Sequence, residues 1–173
     1  SNTDPENFDI SNLQKSELIV KHVISYSHIA MHNILKINMH NTGRWIPEVK
    51  LIKFVVVKEY HLIVSQFRVW KDNEIAVCLF HSNRSSLTLQ DIQIELSLPE
   101  GLSLSVVTDD NIKFSNNTAT IVSLPPNTTA LVVVLIRYAG QLSYTSSLQC
   151  SLKFAVSNRP KTYKYRIALD LVD

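Results

Sequence analysis

Six histidines are the side chains of this sequence best suited to metal or acid–base chemistry. His28 and His32 would share one face of a helix, and His22, His32 and His40 would meet across neighbouring strands. A zinc site needs three or four convergent ligands, and no second pair with ligand spacing accompanies these. On a strand, His32 and His40 fall on the polar face beside Lys36, where a solvated imidazole is the ordinary outcome. Asp109-Asp110-Asn111 offers too few oxygens for calcium. It reads as a turn between two strands, because Asp and Asn satisfy turn backbone with their own side chains. Asp91 and Glu95 lie two strand positions or more apart on a polar face and read as solvated charges. Only three glycines occur, Gly43, Gly101 and Gly140, whereas a phosphate loop needs several to bring backbone close with no Cβ intervening. No serine sits in a glycine-flanked elbow of the esterase kind. The sequence therefore predicts no catalytic, cofactor-binding or metal-binding residue, no cofactor, and a protein that is not an enzyme.

The elements that would carry these residues are strands throughout. Ile29, Met31, Leu35, Ile37 and Met39 alternate with His32, Lys36, Asn38 and His40 until Asn41-Thr42-Gly43 breaks the run. Ile92, Ile94, Leu96 and Leu98 alternate with Asp91, Gln93, Glu95 and Ser97 as far as Pro99-Glu100-Gly101. Leu148, Cys150, Leu152, Phe154 and Val156 share a face, and Ser157-Asn158-Arg159-Pro160 ends their strand. Tyr163, Tyr165, Ile167, Leu169 and Leu171 make the last one. This period of two is the signature of half-buried strands. Further strands are predicted at 61–70, 74–81, 102–107, 118–124 and 129–138. Across 11–27, Ser11 and Gln14 could form a helix cap, but the β-branched run at 18–24 favours a strand. Short strands separated by polar turns every eight to twelve residues predict an all-β, immunoglobulin-like antiparallel sandwich with extra N-terminal strands.

A chain of 173 residues can bury a core without metal or disulfide. Seventeen basic and fifteen acidic residues give a formal charge of +2, close to neutral. That excludes the electrostatic footprint of a nucleic-acid binder. The longest apolar runs, such as 54–57 and 131–136, fall far short of the about twenty residues of a membrane span, so no direct insertion is expected. The polar opening 1–7 lacks the apolar core of a signal peptide and reads as the interior of a longer chain.

Two cysteines, Cys78 and Cys150, could bridge the two sheets of an immunoglobulin domain or pack singly as small apolar side chains. Leu148 rather than Tyr precedes the second by two residues, and Trp70 lies before the first, which departs from the antibody pattern. Cys150 is expected to be an inward thiol between Leu148 and Leu152. Three N-x-S/T triplets begin at Asn83, Asn116 and Asn127, all in stretches that read as exposed turns where glycans could attach.

From about residue 59 onward the order of strands and breaks resembles the appendage, or ear, domains of vesicle coats, of the γ-adaptin and COPI coatomer types. Val69-Trp70-Lys71-Asp72-Asn73-Glu74 opens a strand ending in Phe80-His81-Ser82-Asn83, similar to the apolar strand and Asn-containing turn of appendages. Leu89-Gln90-Asp91-Ile92-Gln93-Ile94-Glu95 resembles the family's strand of leucine, polar residue, aspartate or asparagine, and valine. Ile121-Val122-Ser123-Leu124-Pro125-Pro126-Asn127 resembles its leucine-proline-proline turn, followed here by the apolar stretch 131–137. Cys150-Ser151-Leu152-Lys153-Phe154-Ala155-Val156 and residues 163–172 are similar to its last two strands. The leading 58 residues have no counterpart, and the basic cluster with which γ-type ears hold acidic-aromatic peptides is not reproduced. No partner-binding residue carries over.

The resemblance implies a non-catalytic protein–protein interaction or scaffold domain of a vesicle-coat, adaptor or related multisubunit complex. It implies a cytoplasmic setting, peripheral to membranes. The alternative from the cysteine pair and the sequons is an extracellular immunoglobulin-like adhesion or receptor domain. Two parts are expected: a β segment over 1–58 packed on the sandwich, and the appendage-like sandwich itself over 59–173. Strand 131–136 is apolar on both faces, and Ile52, Phe54 and Val56 oppose Val55 and Val57 in the same way. A sandwich strand needs one apolar face, so the second must be covered by other parts of the chain or by a partner.

Overall fold

The computed structural model describes residues 54–71, 73–140, 142 and 146–169. The run 1–53 lies outside these, and with it the strand expected at 29–39, the stretch 11–27, and His22, His28, His32 and His40. The described residues contain ten strands and no helix. They are β1 (Phe54–Lys58), β2 (Leu62–Lys71), β3 (Glu74–Asn83), β4 (Leu89–Ser97), β5 (Leu102–Val106), β6 (Ile112–Ser115), β7 (Thr118–Leu124), β8 (Thr129–Tyr138), β9 (Ser147–Val156) and β10 (Arg159–Ala168). Two five-stranded sheets result, in the orders β1-β2-β3-β8-β5 and β10-β9-β4-β7-β6. Each strand pair is antiparallel. The chain is an all-β, immunoglobulin-like sandwich, as its alternation predicts.

The core lies between the sheets. Leu62, Val64, Ile75, Val77, Leu79, Val132, Val134 and Ile136 face Ile92, Ile94, Leu96, Ile121, Leu148, Leu152 and Phe154. Each such side chain contributes roughly 1.5–3 kcal/mol of transfer free energy before chain entropy opposes it. In the second sheet the other faces meet water, with Gln93, Glu95, Ser97, Gln149, Thr162, Lys164 and Arg166 pointing out. Arg68 crosses to that sheet, donating from Nη1 to the Ala168 carbonyl at 2.6 Å.

Local features depart from the sequence reading in three places. β6 is not among the predicted strands, because four residues with only Ile112 and Phe114 turned inward make too short a pattern. The alternation across 52–57 is broken by a bulge between Val55 and Val57, which leaves Val55 exposed and Val57 buried. The break after Val156 is two residues, not four. Ser157 and Asn158 both adopt positive φ (50° and 65°), so Arg159 and Pro160 already pair with Val156 and Ala155. Two left-handed residues suit the twist of a tight hairpin, and Pro160 is tolerated because β10 is an edge strand.

Candidate functional site

One end of the sandwich gathers the connections 59–61, 84–88 and 125–128, and a single side chain ties two of them together. Asn83, the last residue of β3, is 1% exposed. Its Nδ2 donates to the carbonyls of Leu87 (2.7 Å) and Leu124 (2.9 Å). Its Oδ1 accepts from the backbone N–H and the hydroxyl of Ser85, at 2.9 and 2.7 Å. The backbone adds two bonds: Asn83 N–H donates to the Thr128 carbonyl, and Asn127 N–H donates to the Asn83 carbonyl, both at 2.9 Å. The first connection joins through the Arg84 N–H, which donates to the His61 carbonyl at 2.8 Å.

Glu59 fixes that first connection from the other side. Its Oε2 accepts the N–H groups of His61 (2.6 Å) and Leu62 (3.1 Å). Its Oε1 receives Nδ1 of His61 at 3.1 Å and Nζ of Lys161, on β10, at 2.6 Å. Burial alone would raise this carboxyl, but the bonds from Lys161, His61 and the two backbone N–H groups outweigh it and hold it at about 2. Between these anchors stand Tyr60, 85% exposed, and Leu87, 43% exposed. A large aromatic and an aliphatic side chain are thus held out to solvent on connections that cannot easily move.

The titratable groups inside the fold are set up as structure. His81 is fully buried, with its ring Nδ1 placed 3.2 Å from the Leu79 carbonyl, and desolvation pulls it down to about 4. It is a neutral imidazole held against backbone carbonyls rather than against a carboxylate. Cys78 and Cys150 are both buried free thiols. Burial raises both, Cys150 to about 12. Cys150 belongs to the core between the sheets, while Cys78 sits on the opposite face of its own sheet, so the expected alternative of a bridge is not formed. Among the described residues no three His, Cys, Asp or Glu side chains converge.

The three sequons separate. Asn116 and Asn127 are exposed at positive φ (52° and 57°), as expected. Asn83 is not in an exposed turn, because its amide is consumed by the four bonds described above. Asp109-Asp110-Asn111 is the turn that its residue types predict: Asp109 Oδ1 accepts the N–H groups of Asn111 and Ile112, each at 2.7 Å. The roles of Asn83 and Glu59 are not visible in the sequence. The only signal is the Asn-containing turn of the resemblance, which names the residue without its bonds.

No family model matches the sequence, and no curated protein matches it. In structure the chain is similar to the GAE (γ-adaptin ear) domain of GGA2p from Saccharomyces cerevisiae. That match has a TM-score of 0.53 and 14% identity, covering 69% of this chain and 99% of that one. The GAE domain of yeast GGA1 gives 0.52 and 14%, covering 67% and 97%. The ear-type appendage fold expected from the sequence is the fold of this chain.

Proposed function

We propose that this chain is a non-catalytic interaction domain that joins protein subunits in a vesicle-coat, adaptor or related multisubunit complex. The observation that carries the reading is the pair Tyr60 and Leu87, exposed on connections locked by Asn83 and Glu59. Tyrosine is among the residue types enriched where an interface holds most of its binding energy, and Leu87 adds apolar area at the same end of the sandwich. They lose little conformational freedom on binding, because the backbone beneath them is already fixed. The ear-type fold supports the setting. A formal charge of +2 favours protein partners over nucleic acid. Residues 1–58 act in this reading as a segment packed on the sandwich of 59–173, its last five residues joining the first sheet as β1.

The test is quantitative affinity capture with the full chain against the double variant Tyr60→Ala/Leu87→Ala. Both side chains are surface residues, so the melting temperature should stay within about 2 °C, as ordinary surface substitutions do. A defined set of proteins, recovered at least tenfold less by the variant, is the expected result. Equal recovery by both forms would sink the proposed surface. Glycans on Asn116 and Asn127 of the naturally produced protein would favour the extracellular alternative.

A further inference from the structure

We infer that the outer face of β2, β3 and β8 is a docking surface for this chain's own residues 29–39. In an ordinary sandwich one face of each sheet is buried and the other is wet, and the second sheet obeys that rule. The first sheet does not. Ile63, Ala76, Cys78, Phe80, Leu131 and Val133 are all at most 2% exposed, yet none of them belongs to the core between the sheets. Strand register makes them one patch: Ser65 pairs with Phe80 and Phe80 with Leu131, while Cys78 pairs with Val133. Three strands about 4.8 Å apart, over four side-chain rows, make a dry area of roughly 400 Å². All ten described strands lie in the two sheets, so none of them overlies this face.

The cover must have an apolar side for the sheet and a polar side for water. Residues 29–39 have those two sides, with Ile29, Met31, Leu35, Ile37 and Met39 opposed to His32, Lys36 and Asn38. Asn33 is the one polar residue of the first set, and Ala30 and Ile34 are the apolar ones of the second. The β-branched run 18–24 does not, since Lys21 interrupts one of its alternating faces and His22 the other, so it has neither a continuous apolar side nor a polar one. As an extended strand, residues 29–39 span about 36 Å, enough to run the length of the patch. The tether also reaches. Residues 40–53 separate Met39 from β1, and about 3.3 Å per residue gives these fourteen residues a reach of roughly 46 Å. From β1 to β8 is three strand spacings in this sheet, about 14 Å. A tethered segment acts at a millimolar effective concentration, which a second copy or a scarce partner does not match.

The chain carries its own probes, because its two methionines, Met31 and Met39, both lie in the proposed docking stripe. Replacing them with photo-methionine and irradiating the intact chain should link them, within one monomer, to peptides containing Ile63, Phe80 or Leu131. In the same preparation Cys78 should resist a thiol reagent. Ile37→Asp should raise Cys78 labelling at least tenfold while Cys150, inside the core, stays protected. Links formed only between chains would assign the face to a second copy and overturn the inference. Links to other surfaces alone, no links to this face, or rapid Cys78 labelling in the unaltered chain would overturn it too. If Ile37→Asp exposes both cysteines, the variant has unfolded and the photo-methionine map alone decides.

Discussion

Asn83→Ala is the substitution that most directly tests how the loop end is held. It deletes four side-chain hydrogen bonds, two given to the Leu87 and Leu124 carbonyls and two received from Ser85. A net hydrogen bond contributes about 0.5–1.5 kcal/mol, so the set sums to roughly 2–6 kcal/mol. The Leu87 and Ser85 ends are near solvent and water can replace them, whereas the bond to Leu124 is buried and its carbonyl would be left bare. About 3 kcal/mol is the expected loss. For a domain of this size each kcal/mol lowers the melting temperature by about 4 °C, so a fall of about 12 °C is predicted. Thermal melting paired with urea titration is the assay, and the midpoint should fall with the slope unchanged. Asn83→Asp should be no better at pH 7, because it keeps the acceptors for Ser85 but sets a carboxylate against two carbonyls. A fall of less than about 3 °C for Asn83→Ala would refute the reasoning. The loops would then be held by the backbone bonds to Thr128, Asn127 and His61.

Two further predictions concern acid. His81 is held at about 4 in the fold against 6.5 in the open chain, so the unfolded state binds the extra proton between those values. Stability should therefore fall as pH drops from 6.5 towards 4, by about 2 kcal/mol at pH 5, and His81→Gln should remove that slope. A urea midpoint that is flat from pH 7 to 5 in the unaltered chain would overturn the assignment. Glu59 is held at about 2 against 4.5, so its stabilisation is complete above pH 4.5 and is lost as pH falls towards 2. Glu59→Gln should flatten that lower limb without touching the limb from His81, and an unchanged lower limb would count against the Lys161 tie.

What is legible in the sequence is what a period of two can carry. β4 and β9 bury one side and wet the other, so the inward positions of Ile94, Leu96, Leu148 and Leu152 follow from alternation alone. What is illegible depends on partners far along the chain. Asn83 looks like a turn residue in a sequon, and its burial follows from Leu124, 41 positions away. Asp91 looks like a solvated acid on a polar face, and it is exposed, but its φ of 53° gives it a backbone role as well. Asp and Asn enter the left-handed region more easily than most residues. Leu89 and Ile92 can then both point inward across two intervening residues, where strict alternation allows only one. The motif letters that carry the resemblance, Asn83 and Asp91, are therefore letters of the fold. They serve the sandwich and say little about what it binds.

That distinction bears on where binding can occur. An interaction domain must keep apolar surface for its partner without losing the stability that comes from burying it. In this chain the outer face of the first sheet is buried where β2, β3 and β8 run, and the outer face of the second carries exposed polar residues from Gln93 to Arg166. Val55 on β1 and Val122 on β7 are the exposed large apolar side chains of the sheets among the described residues, and they stand singly on different sheets. Tyr60 and Leu87 are different, because they are large, exposed and carried on connections whose backbone is already satisfied. Their side chains contribute little to the fold, while Asn83 and Glu59 beneath them contribute much. If the proposed surface is right, stability and recognition fall on separate residues. Substituting Asn83 should lower both melting temperature and binding, whereas substituting Tyr60 should lower binding alone. Loss of both properties on Tyr60→Ala would mean that the loop end is part of the fold and that the recognition surface lies elsewhere.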